Sequence, residues 1–501
     1  MAVDQTLRTL LSYIKANSPI TLEEGEAEES PLLSVLNFPP LNNPPRLHHR
    51  LEPLPTPLLH SSFEFWAETD PHAVALDFVH SLRSGDKASR HTVLTYGELN
   101  AAANTVSDTI KAEIQKAVDL ASWSRIIPVH MSTSPELYIS YLGVLKAGYG
   151  FCPIPQDAPA QRVDEILKDI NSPVILGRGP FNANEEGTLG GVLAKSSWLD
   201  VAEIVGKMTF QIESHHLESR TPSGSDIAYL LFTSGSTGKP KGVQISHLAA
   251  TCSIHSHATS IPLPSSLNGK FRWFQFASPT FDPSLMEIFV TLSCGATLCS
   301  ADRDLTLTDP EAVINEAKAT IMMATPSLAA VLRPEKLETL QYLWTMGEKL
   351  NRTVIDNFAK HAECDDTSAQ SPRMLVNAYG PTEGAINCTY NAPVGRYTRG
   401  SIIGKPLPTC AMLVIDPNDT APRPVPAGMC GELVLAGPQV GSGYLKRPEE
   451  TSKAFVESSE YGPLYKTGDM ARIVWDENGQ QVLEFLGRMT SDQVKINGKR
   501  L

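Results

Sequence analysis

Between Leu230 and Gly242 the chain reads LLFTSGSTGKPKG, a stretch of hydroxyl, glycine and lysine residues set between two apolar runs, Ile227 to Phe232 and Val243 to Ile245. Residues of these types can wrap a polyanion. Gly235, Gly238 and Gly242 let the backbone take positive φ and come close to a ligand. Successive amides there can form an anion-binding nest, to which Thr233, Ser234, Ser236 and Thr237 add hydroxyl donors and Lys239 and Lys241 add charge. The spacing is not that of a GxxxxGK[ST] phosphate loop. Only two residues separate Gly235 from Gly238, and Pro240 follows Lys239 where a magnesium-binding hydroxyl would stand. The plain alternative is a flexible Ser/Gly surface loop.

Two acidic residues are further candidates. Asp282 precedes Pro283 in FDPSLMEIF, so it reads as a helix N-cap with proline at the first helical position, and equally as a carboxylate placed to hold an ammonium group. Asp469 in YKTGD is an acceptor-only carboxylate; taken alone it reads as a turn residue. The pairs His215–His216 and His255/His257 have no partner ligands at metal-binding spacing. The eight cysteines, at 152, 252, 294, 299, 364, 388, 410 and 430, form no CxxC and read as reduced and structural.

The elements that must position these residues alternate. A helical stretch (Phe63 to Glu68) is followed by a strand (Ala73 to Phe78), then a helix from LTYGELN to about Ile114. Strand Ile126 to His130, helix Pro135 to Lys146, helix Val163 to Ile170 and strand Val174 to Gly177 come next. The pattern resumes with a helix from His247, strand Arg272 to Phe276, helix Pro283 to Leu292, strand Thr297 to Cys299, helix Pro310 to Ala319 and strand Thr320 to Ala324. Such alternation predicts layered α/β architecture with largely parallel sheets. From about Ser401 short β runs take over (Ala411 to Ile415, Gly431 to Leu435, Ala471 to Val474, Val482 to Phe485), which predicts a small β subdomain over 401–486. Residues 1–55 carry a short amphipathic segment (Leu7 to Ile14), an acidic run (Glu23 to Glu29) and a proline-rich one (Asn37 to His49). They read as a linker or a surface-wrapping arm.

The 501 residues suffice for a large core. A net charge of −13 argues against nucleic-acid binding, whose basic footprint is missing. No run approaches 18 apolar residues and no secretory pattern opens the chain, which reads as cytoplasmic.

Further motifs follow in order: LTYGEL (94–99), LKAGYGFCPI (145–154), FDPSLMEIF (281–289), NAYGPTE (377–383), GELVLAGPQVGSGYLKRPEETSKAF (431–455), YKTGD (465–469) and GRMTSDQVKINGKR (487–500). With the loop, the set resembles the adenylate-forming superfamily, and within it nonribosomal peptide synthetase adenylation domains. The family's large N-terminal domain has two layered α/β subdomains, over 56–400 here, plus a small β-barrel-like one. The resemblance implies activation of a carboxylate by ATP with Mg2+, an in-line attack at the α-phosphorus in which the enzyme must hold two anions together. Thr233 to Lys241 would close over the β- and γ-phosphates. Tyr379 would stack on adenine, within a nucleotide segment that includes Asn377, Ala378 and Gly380, with Gly347 and Glu348 alongside. Thr382 would touch the α-phosphate, and Glu383 would hold magnesium. Asp469 would take the ribose hydroxyls and Arg488 brace the same sugar. Phe485 stands where relatives often have tyrosine.

By the same resemblance Asp282 would bind a substrate ammonium, which favours an amino acid over the aryl and fatty acids of related acyl-CoA ligases. The pocket walls would be Asp282, Pro283, Met286, Met323, Trp344, Met346, Ala378, Ile386 and Asn387. Three methionines and a tryptophan fill space and nothing there pairs with a charged side chain. That set implies a small amino acid, glycine first, then alanine or serine, with Asn387 as hydroxyl partner. Together with the proline-rich lead-in it resembles the first module of fungal ferrichrome-type siderophore synthetases, where a downstream carrier domain with a phosphopantetheine arm would take the product. Two departures stand out. GRMTSDQVK has one residue more than the family's GRxDxQVK, leaving the hinge aspartate at Asp492 or displaced to Thr490. The chain also stops at Leu501, before the family's C-terminal subdomain and its catalytic lysine, which implies slow adenylation. A catalytically silent scaffold is the reading from another class.

Overall fold

Two sheets carry the chain, and each owes its order to runs that the sequence makes apolar on both faces. The computed structural model describes residues 58–82, 90–117, 123–180, 196–207, 222–234, 240–260, 270–359, 373–419, 422–476 and 478–489, with the paired backbone of Val35–Leu36, Lys495–Ile496 and Lys499–Arg500. The expected segment Leu7 to Ile14, the acidic and proline-rich runs, His215–His216, Cys364 and both hinge candidates, Thr490 and Asp492, lie outside the described residues. The smaller sheet runs in the order Gly443–Tyr444, Pro240–Ser246, Ile227–Ser234, Gly150–Ile154, Ile126–His130, Val174–Gly177, Ser197–Asp200. Its central strands pair in parallel and are buried along their whole length, as expected where helices cover both faces.

The larger sheet has a parallel centre formed by Met374–Tyr379, Tyr342–Thr345, Ile321–Ala324, Arg272–Phe274, Thr297–Ala301 and Val74–Val79. Beyond Met374–Tyr379 the pairing turns antiparallel through Thr389–Asn391 and Ile402–Pro406 into the β unit expected after residue 401. That unit continues the large sheet, and its described strands trace an open path. Val35–Leu36 pairs with Ala411–Ile415 at its far edge, so part of the N-terminal arm lies on the β unit.

Local chemistry sets the element ends. Thr95 and Glu98 form a reciprocal capping box at the start of helix Tyr96–Gln115. Helix Ala160–Ile170 buries Val163, Ile166, Leu167 and Ile170, an i, i+3, i+4, i+7 stripe, and stops at Asn171 in the left-handed region. Two expectations change. The helix predicted over Pro310 to Ala319 ends at Glu316, because Lys318 takes φ 50°. The runs around YKTGD and Ala471 to Val474 merge into one strand, Gly462–Trp475. Asp469 therefore lies within a strand, 4% exposed, and the turn reading of it falls. Among the described residues the cysteines are free, and no helix is long and apolar enough to cross a membrane.

Candidate active site

The candidate residues converge where the hairpin of the small sheet, the C-terminal ends of the large sheet's parallel strands and the β unit meet. Ile227–Ser234 and Pro240–Ser246 pair antiparallel down to Thr233 opposite Lys241 and Ser234 opposite Pro240. The described pairing thus ends at Ser234 and Pro240, the two residues that flank the loop. Gly235, Ser236, Thr237, Gly238 and Lys239, and the side chain of Ser234, lie outside the described residues.

Strand Met374–Tyr379 delivers the next group. Asn377 is buried and spends its amide inside the sheet, donating to the Ile402 carbonyl at 2.8 Å. The Tyr379 hydroxyl donates to Asp469 Oδ2 at 2.6 Å, and its ring lies 5.9 Å from that of Phe485. Burial and the neighbouring Asp469 carboxylate push this phenol well above its ordinary range. Arg488 faces the other Asp469 oxygen at 3.1 Å and donates to the Thr467 carbonyl at 2.8 Å. Tyr379, Asp469, Phe485 and Arg488 therefore form one connected wall. Gly347, at φ 88°, and Glu348 stand on the segment after the neighbouring strand Tyr342–Thr345, where Glu348 accepts from the amide of Ser327 at 3.1 Å.

Thr382 and Glu383 sit in a short 3-10 turn after Pro381. Glu383 is 3% exposed; Oε1 accepts the Tyr444 hydroxyl at 2.8 Å, while Oε2 has no hydrogen-bond partner among the described residues. The Lys241 ammonium lies 5.3 Å from the centroid of the Tyr444 ring. Among the described residues no group of three or more His, Cys, Asp or Glu gathers in a metal-binding cluster.

Of the expected pocket residues, Met323 and Trp344 pair across neighbouring strands and Asn387 reaches Met286. Pro283, Met286, Met323, Trp344, Met346, Ala378, Ile386 and Asn387 are all buried, and Asp282 is 2% exposed. Asp282 sits at the N-cap of helix Pro283–Ser293 in helical backbone geometry, φ −56° and ψ −28°, and its side chain makes no capping bond. The helix start is as expected, but the carboxylate is not used on it. Asn387 donates to the Met286 sulfur at 3.2 Å, and its Oδ1 has no partner among the described residues. Ala385 and Ile386 take φ 56° and 82°, a strained conformation that for a β-branched residue is an outlier.

The sequence reading weighed His257 only as half of a histidine pair without metal partners, and the structure buries it. It lies on helix His247–Ser260 with its ring 6.4 Å from that of Trp344. Nδ1 donates to the Ser253 carbonyl at 2.7 Å, which leaves Nε2 as an acceptor, without partner among the described residues. Burial lowers its pKa to about 4, so the ring is neutral at physiological pH. Nothing in the local sequence marks its contact with Trp344, which is 87 positions away.

A family described as "AMP-binding enzyme" matches residues 63–445. The chain belongs to that family. This AMP-binding enzyme is 59% identical over 519 residues to the nonribosomal peptide synthetase sidC of Aspergillus fumigatus, an alignment spanning 100% of the chain and 11% of that protein. It is 42% identical over 492 residues to the siderophore peptide synthetase fer3 of Mycosarcoma maydis, spanning 96% of the chain and 10% of the relative. The chain thus spans about a tenth of the length of the curated relatives it matches. Among solved structures, the NpsA N-terminal subdomain of Klebsiella oxytoca, in complex with 3-hydroxyanthranilyl-AMSN, superposes at TM-score 0.67 with 22% identity, covering 86% of this chain and 100% of that one. The fused NpsA-ThdA adenylation–PCP di-domain gives 0.68 at 22% identity, covering 89% and 81%. The AMP-binding enzyme therefore has the adenylation-domain fold, and its family makes it an adenylating ligase.

Proposed function

We propose that the chain binds ATP and a small α-amino acid and joins them as an aminoacyl-adenylate, with glycine ahead of alanine and serine. One observation supports the amino-acid reading: Asp282, a carboxylate 2% exposed, lies beside the expected substrate residue Pro283 and makes no capping bond to the helix it begins. A substrate ammonium would meet this carboxylate in a charge-assisted hydrogen bond. Met286, Met323, Trp344 and Met346 fill the space a large side chain would need. Serine is the second reading, because Asn387 Oδ1 is buried without a partner among the described residues and would accept a hydroxyl.

The nucleotide would lie along the Tyr379–Asp469–Phe485–Arg488 wall, its triphosphate under the hairpin tip with Lys239 and Thr233, and its α-phosphate near Thr382. Magnesium binds through one or two carboxylates plus substrate phosphates, and Glu383 Oε2 fits that need: a buried carboxylate oxygen with no donor on it among the described residues. When bound, the cation would offset charge on the phosphates. The chain's own residues hold the amine and the adenosine so that a carboxylate oxygen meets the α-phosphorus in line. We read the chain as one unit of a siderophore peptide synthetase, cytoplasmic, that passes its product to a phosphopantetheine-bearing carrier domain; the names of the relatives and the adenylation–PCP di-domain support that reading.

The test is ATP–pyrophosphate exchange with glycine, alanine, serine, benzoate and a fatty acid, alongside calorimetry of ATP binding. Exchange with glycine or serine supports the proposal. Exchange with benzoate or the fatty acid alone makes the chain a relative of acyl-CoA ligases, and no ATP binding makes it a silent scaffold. In the same assay Asp469→Asn is expected to weaken ATP about tenfold, because a hydrogen bond to a charged acceptor contributes about 1.5–3 kcal/mol and the amide keeps part of it. Amino-acid affinity should be unchanged.

A further inference from the structure

The segment from Gly441 to Leu445 touches both halves of the candidate phosphate site. The Gly441 amide donates to the Glu383 carbonyl at 2.7 Å, the Ser442 amide to the Gln244 carbonyl at 2.8 Å, and the Leu445 amide to the Gly242 carbonyl at 2.8 Å. Gly443–Tyr444 pairs antiparallel with Gln244 and Val243, on the strand that leaves the hairpin tip. A side chain at 441 would be crowded, because a Cβ would lie 3.1 Å from the Glu383 carbonyl oxygen and 2.9 Å from Ile245 Cδ1. Gly443 takes φ 109°, where glycine is favoured. The backbone therefore fixes where Tyr444 starts, and the side chain does two things from there. Its hydroxyl donates to Glu383 Oε1 at 2.8 Å, and its ring carries the Lys241 ammonium.

We propose that Tyr444 is a positioning residue. It occupies one oxygen of Glu383 so that the other is presented to the divalent cation, and it ties that carboxylate to the strand emerging from the phosphate loop. This rests on the assignment of Glu383 to the cation. A carboxylate turning freely about its terminal bond presents either oxygen. A donor of fixed direction on Oε1, buried with its acceptor, removes that freedom before the ligand arrives. Partners of this kind, which hold a ligand without touching the metal, typically cost about 10–100-fold in metal affinity when removed.

Tyr444→Phe keeps the ring and removes only the donor. The experiment titrates Mn2+ into the full chain saturated with a non-hydrolysable ATP analogue, read by electron paramagnetic resonance and so independent of turnover. Parallel calorimetry follows the analogue without cation and glycine alone. We expect Mn2+ affinity to fall by about 10-fold or more, with cation-free nucleotide and glycine affinities at wild-type values. Equal weakening of all three ligands would show a residue that merely supports the fold and would overturn the proposal. So would wild-type Mn2+ affinity in Tyr444→Phe together with its loss in Glu383→Gln. If Glu383→Gln itself binds Mn2+ as wild type does, the assignment of Glu383 fails first. Tyr444→His returns an N–H donor to the site. Recovery of Mn2+ affinity relative to Tyr444→Phe supports the proposal, and if Tyr444→Phe does not fold, Mn2+ binding by Tyr444→His as weak as by Glu383→Gln would overturn it.

Discussion

Asp282→Ala is expected to abolish amino-acid selection while leaving nucleotide affinity nearly intact. The carboxylate is 2% exposed and makes no capping bond to helix Pro283–Ser293, so its removal takes no side-chain cap from that helix. The proposed charge-assisted bond to the ammonium would contribute about 1.5–3 kcal/mol, or roughly 10- to 150-fold in affinity. The discrimination against a desamino acid of equal size should collapse by the same factor. Asp282→Asn separates charge from shape, since it keeps the volume and one acceptor oxygen and should recover only a small part of the loss. Calorimetry with glycine, with acetate as its desamino analogue and with ATP reads all three quantities. The walls that would hold ATP come from other elements, Tyr379 from Met374–Tyr379 and Asp469 and Arg488 from the β unit. Equal weakening of glycine and ATP would therefore refute the role given to Asp282.

The sequence made much of this arrangement legible and was silent on the rest for physical reasons. Helix Pro135–Lys146 and strand Ala411–Ile415 were readable to the residue, one from its proline at the first position and one from a continuous apolar run. Strands Tyr342–Thr345 and Met374–Tyr379 were visible only as the surroundings of motifs. Both lie in the parallel centre of the large sheet, where burial on two faces erases the alternation that marks a strand. Asp282 was legible as a residue type, but that it does not cap its helix depends on a backbone geometry no spacing reveals. Likewise the join between large sheet and β unit rests on Thr389–Asn391, three residues without a pattern of their own. His257 and Tyr444 acquire their meaning from Trp344 and Glu383, partners brought near by the chain's return, and no local pattern encodes that.

Gly380→Ala is expected to damage both halves of the site at once, which distinguishes it from every other substitution considered. An added Cβ would lie 2.0 Å from the Ile386 carbonyl oxygen, 2.6 Å from Asn387 Cα and 2.9 Å from the Cys388 amide nitrogen. All three are backbone atoms, so no rotamer change relieves the clash. The Cys388 amide also donates to the Tyr379 carbonyl at 2.8 Å, holding the two segments at that separation. Ala385 and Ile386 keep their positive φ only because the surroundings over-determine it. Prising the segments apart releases that strain and carries Ile386 and Asn387 out of the pocket wall. The same displacement pulls Tyr379 from Asp469 and Phe485. Replacing glycine by alanine also stiffens the unfolded chain, which by itself stabilises by about 0.4–1 kcal/mol. Overpacking costs typically about 1–3 kcal/mol, and a clash borne wholly by backbone sits at the upper end, so the net effect is a loss of about 2 kcal/mol. Urea unfolding should show that loss, and calorimetry a weakening of both glycine and ATP. Wild-type stability with both affinities intact would mean that the segments do not pack as described, and the coupling between nucleotide wall and amino-acid pocket would be lost with them.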